Sequence, residues 1–261
     1  MKKIALSLVA AILLVACVEQ PEQFETKKIV GEKVFIDAND DSSFEVKIDV
    51  DFPSKGIPSN VLSTIQEVLR IDIFGEAYNN KNSDSIAENY IADSFDEYLI
   101  EKEGMSDIVD YVYRYQEFIN GTVEFKNDHF LSYKWIQYRF AGGAHGLETT
   151  TFMTFDLANG TQITQSDVFV AGFETAVKQL LVKKLQEYFL ARGSDVNNLW
   201  TDQITANDNF LITENGFKYW FNPYEIAPYS EGASCVTLSF EELNPWLRQD
   251  NASLTATIKQ K

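Results

Sequence analysis

The sequence predicts an α+β fold, in which mainly antiparallel sheets carry about three amphipathic helices. Three observations predict it. Ser43–Asp51 alternates Phe44, Val46, Ile48 and Val50 with polar residues, the period of a half-buried strand. Three stretches place apolar residues at helical spacing. Two later tracts rich in aromatic and β-branched residues are broken by Asn-Gly, Asn-Asp and proline, as hairpin strands are. Segregated runs of helix and strand, without a regular βαβ alternation, favour α+β.

Taken in order, the chain opens as a signal peptide at residues 1–16. Lys2 and Lys3 precede Ile4–Ala16, an apolar run shorter than the ~20 residues needed to cross a bilayer. Leu14–Cys17 reads "LVAC", which resembles the bacterial lipoprotein signal, so Cys17 is the expected lipidation site and membrane anchor. Residues 17–33, charged and with little period, read as a tether. Residues 34–110 form an N-terminal α+β subdomain and 111–261 a C-terminal α+β domain.

In the first of these, Ser59 or Asn60 is placed to cap a helix carrying Val61, Leu62, Ile65, Val68 and Leu69. Ser83–Glu101 is a second helix with an acidic, solvated outer face. From Tyr111, turn signals at Asn120-Gly121 and Asn127-Asp128 divide three strand-like runs. In the third run, Leu131, Tyr133 and Trp135 share one face while Ile136, Tyr138 and Phe140 take the other. That switch predicts a bulge or a strand buried on both faces. Phe173–Leu190 is the third helix, with Gly193 as its stop. A hairpin at Asn215-Gly216, a proline-punctuated loop, a last strand and a short helical turn in "FEELNPWL" complete the chain.

Charge and rare residues exclude several functions. The formal net charge is −17, and removal of residues 1–16 takes away two lysines and no acid. Such a chain does not suit nucleic acid, and it favours a cationic partner by long-range steering. With Cys17 committed to lipid, Cys235 has no disulfide partner and reads as a small hydrophobe in a strand. The two histidines, His129 and His145, lie on different predicted strands without metal-ligand spacing. No cofactor or metal is expected.

The stretch Ala141–Gly160, "AGGAHGLETTTFMTFDLANG", therefore needs another account. Within it "GGAHG" is followed by "LETTTFMTFDL", strand composition instead of a helix N-terminus, so the glycines do not form a phosphate cradle. Gly142, Gly143 and Gly146 read as a structural turn, with His145 bonded to backbone or touching a ligand. Tyr224, Pro228 and Tyr229, in "FNPYEIAPYSEG", are the other ligand-binding candidates, since tyrosines on a proline-stiffened loop offer large amphipathic surfaces.

"GGAHG", "TFDLANGTQITQSDVF", "GFKYWFNPYEIAPYSEG" and "VTLSF" follow one another in the order of a known family. Across Tyr111–Leu247 they resemble a bacterial extracytoplasmic domain of uncharacterised function. It forms the outer part of a lysozyme-sensing anti-sigma factor and occurs beside some peptidoglycan deacetylase domains. Residues 34–110 resemble, less distinctly, its companion domain. The resemblance implies a non-catalytic binding module in the cell envelope, periplasmic or surface-facing, with lysozyme or peptidoglycan as partner. This chain has neither the transmembrane helix nor the deacetylase domain of those relatives. Two alternatives stand beside that expectation: an envelope hydrolase using His145 with Glu148 or Asp156 and a serine, and a structural lipoprotein.

Overall fold

The computed structural model describes residues 22–79, 82–105, 107–108 and 111–259. The signal peptide, Cys17 and the first part of the expected tether lie outside them. The five-stranded sheet begins with β1 (Glu25–Ile36) and β2 (Ser43–Lys55), an antiparallel pair with Val30 opposite Asp49. Glu25–Lys33, expected as tether, is thus strand. It shows no period in the sequence because β1 is an edge strand that fully buries only Ile29. Gly31 lets α2 pack closely there: a methyl group in its place would lie 2.8 Å from Ile91 Cδ1 and 3.1 Å from Ala87 Cβ.

Two helices follow, α1 (Ser59–Phe74) and α2 (Ile86–Gly104). α1 buries Val61, Ile65, Leu69 and Ile73, one residue per turn. Its N-cap is Pro58, without a side-chain cap bond, and the expected caps Ser59 and Asn60 are already helical. Proline suits the position, having no N–H to satisfy and a φ set near the helical value. α2 turns Ile86, Ala87, Ile91 and Tyr98 toward β1 and β2.

The helices carry the chain back so that β3 (Arg114–Lys126) pairs parallel with β2, while β4 (Phe130–Ala141) and β5 (Leu147–Asp156) add antiparallel, in the order β1-β2-β3-β4-β5. Asn120-Gly121 is not a turn; it sits inside β3 opposite Ile136 and Trp135. A side chain at Gly121 would collide with the Tyr133 hydroxyl, which instead donates to Asp51 O at 3.0 Å. The glycine serves close approach, the other meaning a strand glycine carries. Glu117, buried on the helix side of β3, accepts from the hydroxyls of Tyr90 and Tyr115 at 2.9 Å and from Gln137 at 2.5 Å, which ties α2 to the sheet.

The second half comprises α3 (Gln165–Val168), closed by a Thr164–Asp167 capping box, then α4 (Glu174–Ala191), β6 (Phe210–Thr213), β7 (Gly216–Phe221), β8 (Ser234–Ser239), α5 (Phe240–Leu243) and α6 (Ala252–Lys259). β6, β7 and β8 form an antiparallel sheet in that order, and α4 packs on β8 through a face that buries Val177, Leu181, Leu185 and Phe189. Gly193 ends that helix segment at φ 77°, its amide bonded to Leu190 O.

The buried apolar residues fall into two cores. One, with Phe44, Ile65, Leu69 and Tyr133, lies between the five-stranded sheet and α1–α2; the other, with Leu181, Phe217 and Leu238, lies between α4 and the three-stranded sheet. Packing thus divides the chain after β5, whereas a division at 110/111 passes between the paired strands β2 and β3. At the start of β4, Phe130 belongs to the second core and Leu131 and Tyr133 to the first. The strand is thus buried on both faces at its start, whereas Ile136, Tyr138 and Phe140, where the apolar pattern switches, are only half-buried and join neither core.

The junction between the halves is polar and specific. β5 is an edge strand, yet Thr150 N donates to Asn222 Oδ1 and Phe152 N to Asn209 Oδ1, both at 2.7 Å. Both asparagines return a bond to Thr150 O, at 3.2 and 3.0 Å. Further along, Ser132 Oγ donates to Ile212 O at 2.5 Å and Ile212 N to Thr154 Oγ1 at 3.0 Å. Side chains of each half thereby satisfy backbone groups that an edge strand of the other leaves open.

Candidate functional site: an aromatic ledge

The β4–β5 connection and the loop after β7 meet at the surface and bring the predicted residues together. Gly142 and Gly143 hold φ of 81° and 95°, values a side chain disfavours. Gly146 does not share that geometry. Its role is spatial, because a methyl group there would collide with the Tyr138 ring. The glycine corner is therefore two backbone-angle residues and one close approach.

His145, exposed, stacks on Tyr229 with ring centroids 4.0 Å apart and planes 17° from parallel. Tyr224 leans on Tyr229 at 5.4 Å. His145 Nδ1 lies 3.0 Å from Gly146 O, so in the neutral ring this nitrogen carries the proton, leaving Nε2 to face the Tyr224 hydroxyl at 3.4 Å. The Tyr229 hydroxyl donates to the same Gly146 carbonyl at 2.8 Å. Pro228 opens the short helical turn Tyr229–Glu231 that carries Tyr229. Glu231 anchors that turn, accepting from Asn198 at 2.6 Å and Arg192 at 3.1 Å; hydrogen bonds from Ser194 and Asn198 hold its carboxyl below the usual range.

Tyr229 is thus partly consumed by its own loop, but Tyr224 is not. Its side chain is 52% exposed and its φ is +71°. Glu225 N bonds Asn222 O at 3.1 Å, which makes Asn222–Glu225 a turn with Pro223 second and Tyr224 third. A positive φ at the third place is where such turns take glycine or asparagine. A bulky residue held there is an outlier that costs about 1–3 kcal/mol and clusters at functional sites.

Beside it lies Trp200, 40% exposed, which sequence reading did not single out. Its amide bonds Ile226 O at 2.8 Å, fixing it against the Tyr224 loop. Trp200, Tyr224, Asp202, Gln203 and Glu225 line an open hollow of about 470 Å³, within the ~300–1,000 Å³ range of ligand sites. No signal in the sequence joins Trp200 to Tyr224, since only the fold makes them neighbours.

Of the carboxylates weighed as partners for His145, Asp156 ends β5 and accepts from Ala158 N at 2.8 Å and from Ser253 Oγ at 3.3 Å. Cys235 lies in β8, where burial raises its thiol pKa, as expected of a packed, unreactive cysteine. Among the described residues no cluster of three or more His, Cys, Asp or Glu is placed to hold a metal ion, and no helix is long and apolar enough to cross a membrane.

Comparison with known proteins meets this geometry in its second half. Residues 166–241 match the family described as "Protein of unknown function (DUF3298)". No curated protein matches the chain. Among solved structures, a DUF3298 family member from Bacteroides fragilis superposes with a TM-score of 0.79 at 20% identity, over 92% of this chain and 99% of that one. A DUF3298 family protein from Pseudomonas aeruginosa gives 0.59 at 14% identity, over 87% and 95%. At these identities the likeness is one of fold. The DUF3298 match contains Trp200, Tyr224, Pro228 and Tyr229, while His145 and the glycine corner precede it. It is narrower than the Tyr111–Leu247 span of the resemblance, but the fold of the DUF3298 proteins extends over nearly the whole chain.

Proposed function

We propose that this chain is a lipid-anchored envelope domain that binds a glycan, peptidoglycan being the class, without chemistry of its own. The single observation that carries the reading is Tyr224, strained and exposed beside Trp200 above a hollow rimmed by Asp202, Gln203 and Glu225. Aromatic faces attract the weakly positive C–H faces of sugar rings, and planar carboxylates and amides hydrogen-bond their hydroxyls. The binding role agrees with His145, whose two nitrogens face a carbonyl and a tyrosine hydroxyl and no carboxylate. The anchor is the lipoprotein-like start ending at Cys17.

Co-sedimentation with purified peptidoglycan tests the reading. The protein is expected to pellet with the glycan across a range of salt, and Tyr224→Ala and Trp200→Ala to stay in solution. Pelleting that survives both substitutions would refute the ledge as the site. A folding measurement adds a check on Tyr224 itself. Because an L side chain pays about 1–2 kcal/mol at positive φ, Tyr224→Gly is expected to be more stable than Tyr224→Ala by about 1 kcal/mol, while both lose binding.

The second reading is a cationic protein such as lysozyme, favoured by the excess of 39 acidic over 22 basic residues. Capture that is strong at low ionic strength and lost as salt rises identifies this partner, because screening weakens exposed charges beyond about 10 Å at 0.1 M.

A further inference from the structure

A second hollow, of about 480 Å³, opens on the bare face of the five-stranded sheet and is lined by Gln116, Phe118, Asn120, Ile136, Tyr138 and Glu148. Phe118 and Tyr138 face each other across β3 and β4, stacked at 5.6 Å and 15°. The Tyr138 ring runs on to Gly146, the residue whose carbonyl takes the Tyr229 hydroxyl on its other side. Phe118, Tyr138, Tyr229, Tyr224 and Trp200 therefore succeed one another over the surface, with a hollow at each end.

We infer that this track binds one linear, uncharged glycan strand, with a sugar subsite in each hollow and the Tyr138 and Tyr229 rings, both packed on the buried Gly146, between them. The inference rests on the glycan reading above and extends it from one ledge to a groove. Three features of the surface select the ligand. Aromatic rings lie at both ends and along the way, which suits repeated sugar faces better than one small molecule. Neither hollow is lined by Lys or Arg, whereas Glu148, Asp202 and Glu225 are present, so a polyanion is disfavoured; cations stand only at the rims, Lys47 5.8 Å from the Phe118 ring and Lys178, whose ammonium is already given to Asp202 O at 3.1 Å. An extended peptide would add to an open strand edge, but the Phe118 hollow lies on a sheet face and the edge of β5 is occupied by Asn209 and Asn222.

The test is titration calorimetry of the full chain with chito-oligosaccharides from the disaccharide to the hexasaccharide. The hexasaccharide is expected to bind about tenfold tighter than the disaccharide. Phe118→Ala should erase that gain, and Gln116→Ala, in the same hollow, should reduce it without removing a ring from the sheet. Tyr224→Ala should weaken every length. Equal affinity for all lengths, or a gain that survives both Phe118→Ala and Gln116→Ala, overturns the groove and leaves the ledge standing. No binding at any length, with the wild-type fold intact, overturns the groove and the glycan reading together.

Discussion

At one edge of the five-stranded sheet, β5 gives its outward amides to Asn209 and Asn222 and receives bonds from both on Thr150 O. At the other edge, among the described residues, β1 has no such cover. Ser43 donates its amide to Tyr113 O, so the odd residues of β2 face β3 and the even ones face β1. Their partners Ile29, Gly31, Lys33 and Phe35 are odd, which leaves the amides of Lys28, Val30, Glu32 and Val34 pointing outward. Val30, Val34 and Ile36 are also among the most exposed apolar side chains of the fold. Lysines guard this edge instead: Lys27 pairs with Asp84, Lys28 with Asp49 at 2.6 Å, and Lys33 sits 3.2 Å over the Phe95 ring. One edge is thus closed by fitted hydrogen bonds that join the two halves, and the other by charge that only keeps strands apart. The first contributes to stability, the second to solubility.

The largest expected effect comes from opening the covered edge. Each asparagine satisfies buried backbone groups, and leaving such a group unpaired costs about 1–3 kcal/mol. Asn209→Ala with Asn222→Ala is therefore expected to lower folding stability by about 2–4 kcal/mol, read as a fall in the urea midpoint. The Phe152 amide, bonded to Asn209 in the wild type and so expected to be protected, should then exchange as fast as that of Val30. A double variant with wild-type midpoint and protection would show that packing of Phe152 on Trp220, 5.5 Å between rings, holds the halves together unaided.

Legibility in the sequence followed the same divide between local and long-range causes. α1, α2, α4 and β2 announce themselves because their apolar period reflects one packed face each. β1 does not, since an edge strand under a helix buries only Ile29 fully and has no period to show. Asn120-Gly121 carries a turn signature, but the Tyr133 hydroxyl, twelve residues on in sequence, determines the need for glycine. His145, Tyr224 and Tyr229 were each visible as candidates, and the structure stacks them. The positive φ of Tyr224 and its pairing with Trp200 were not, because composition at a turn does not reveal an unfavourable choice kept in place by its neighbours.

A smaller effect on stability, with a larger one on behaviour, is expected from disarming the open edge. Exposed ion pairs contribute about 0–1 kcal/mol, so replacing Lys27, Lys28 and Lys33 with threonine should leave the unfolding midpoint near wild type. The same variant then presents a long, β-branched edge with outward amides and no lysine, Glu25 and Glu32 being its remaining charges, a template for pairing with another chain. Light scattering should rise with protein concentration, and adding one charge back at Val30, as Val30→Lys, should suppress it. A triple variant that stays monomeric at high concentration would mean that α2, packed over β1, already screens the edge.

The smallest perturbation is the proton. Lys28 has its pKa raised above the ordinary 10.5, first by the hydrogen bond to Asp49, with burial opposing and Asp51 adding to it. A raised basic pKa means the folded state holds the proton more tightly than the unfolded chain. The stabilisation from this contact is fully present below pH 10.5 and is lost as pH rises through the folded-state value. Neutralising Lys28 removes a guard from the open edge without touching the asparagines of the covered one. Self-association of the wild type should therefore set in above pH 10.5, while the Phe152 amide keeps its protection. Lys28→Arg, charged at every pH in that range, should move the onset higher. Scattering that is flat across this window in both proteins would show that charge on β1 is not what keeps the edge apart.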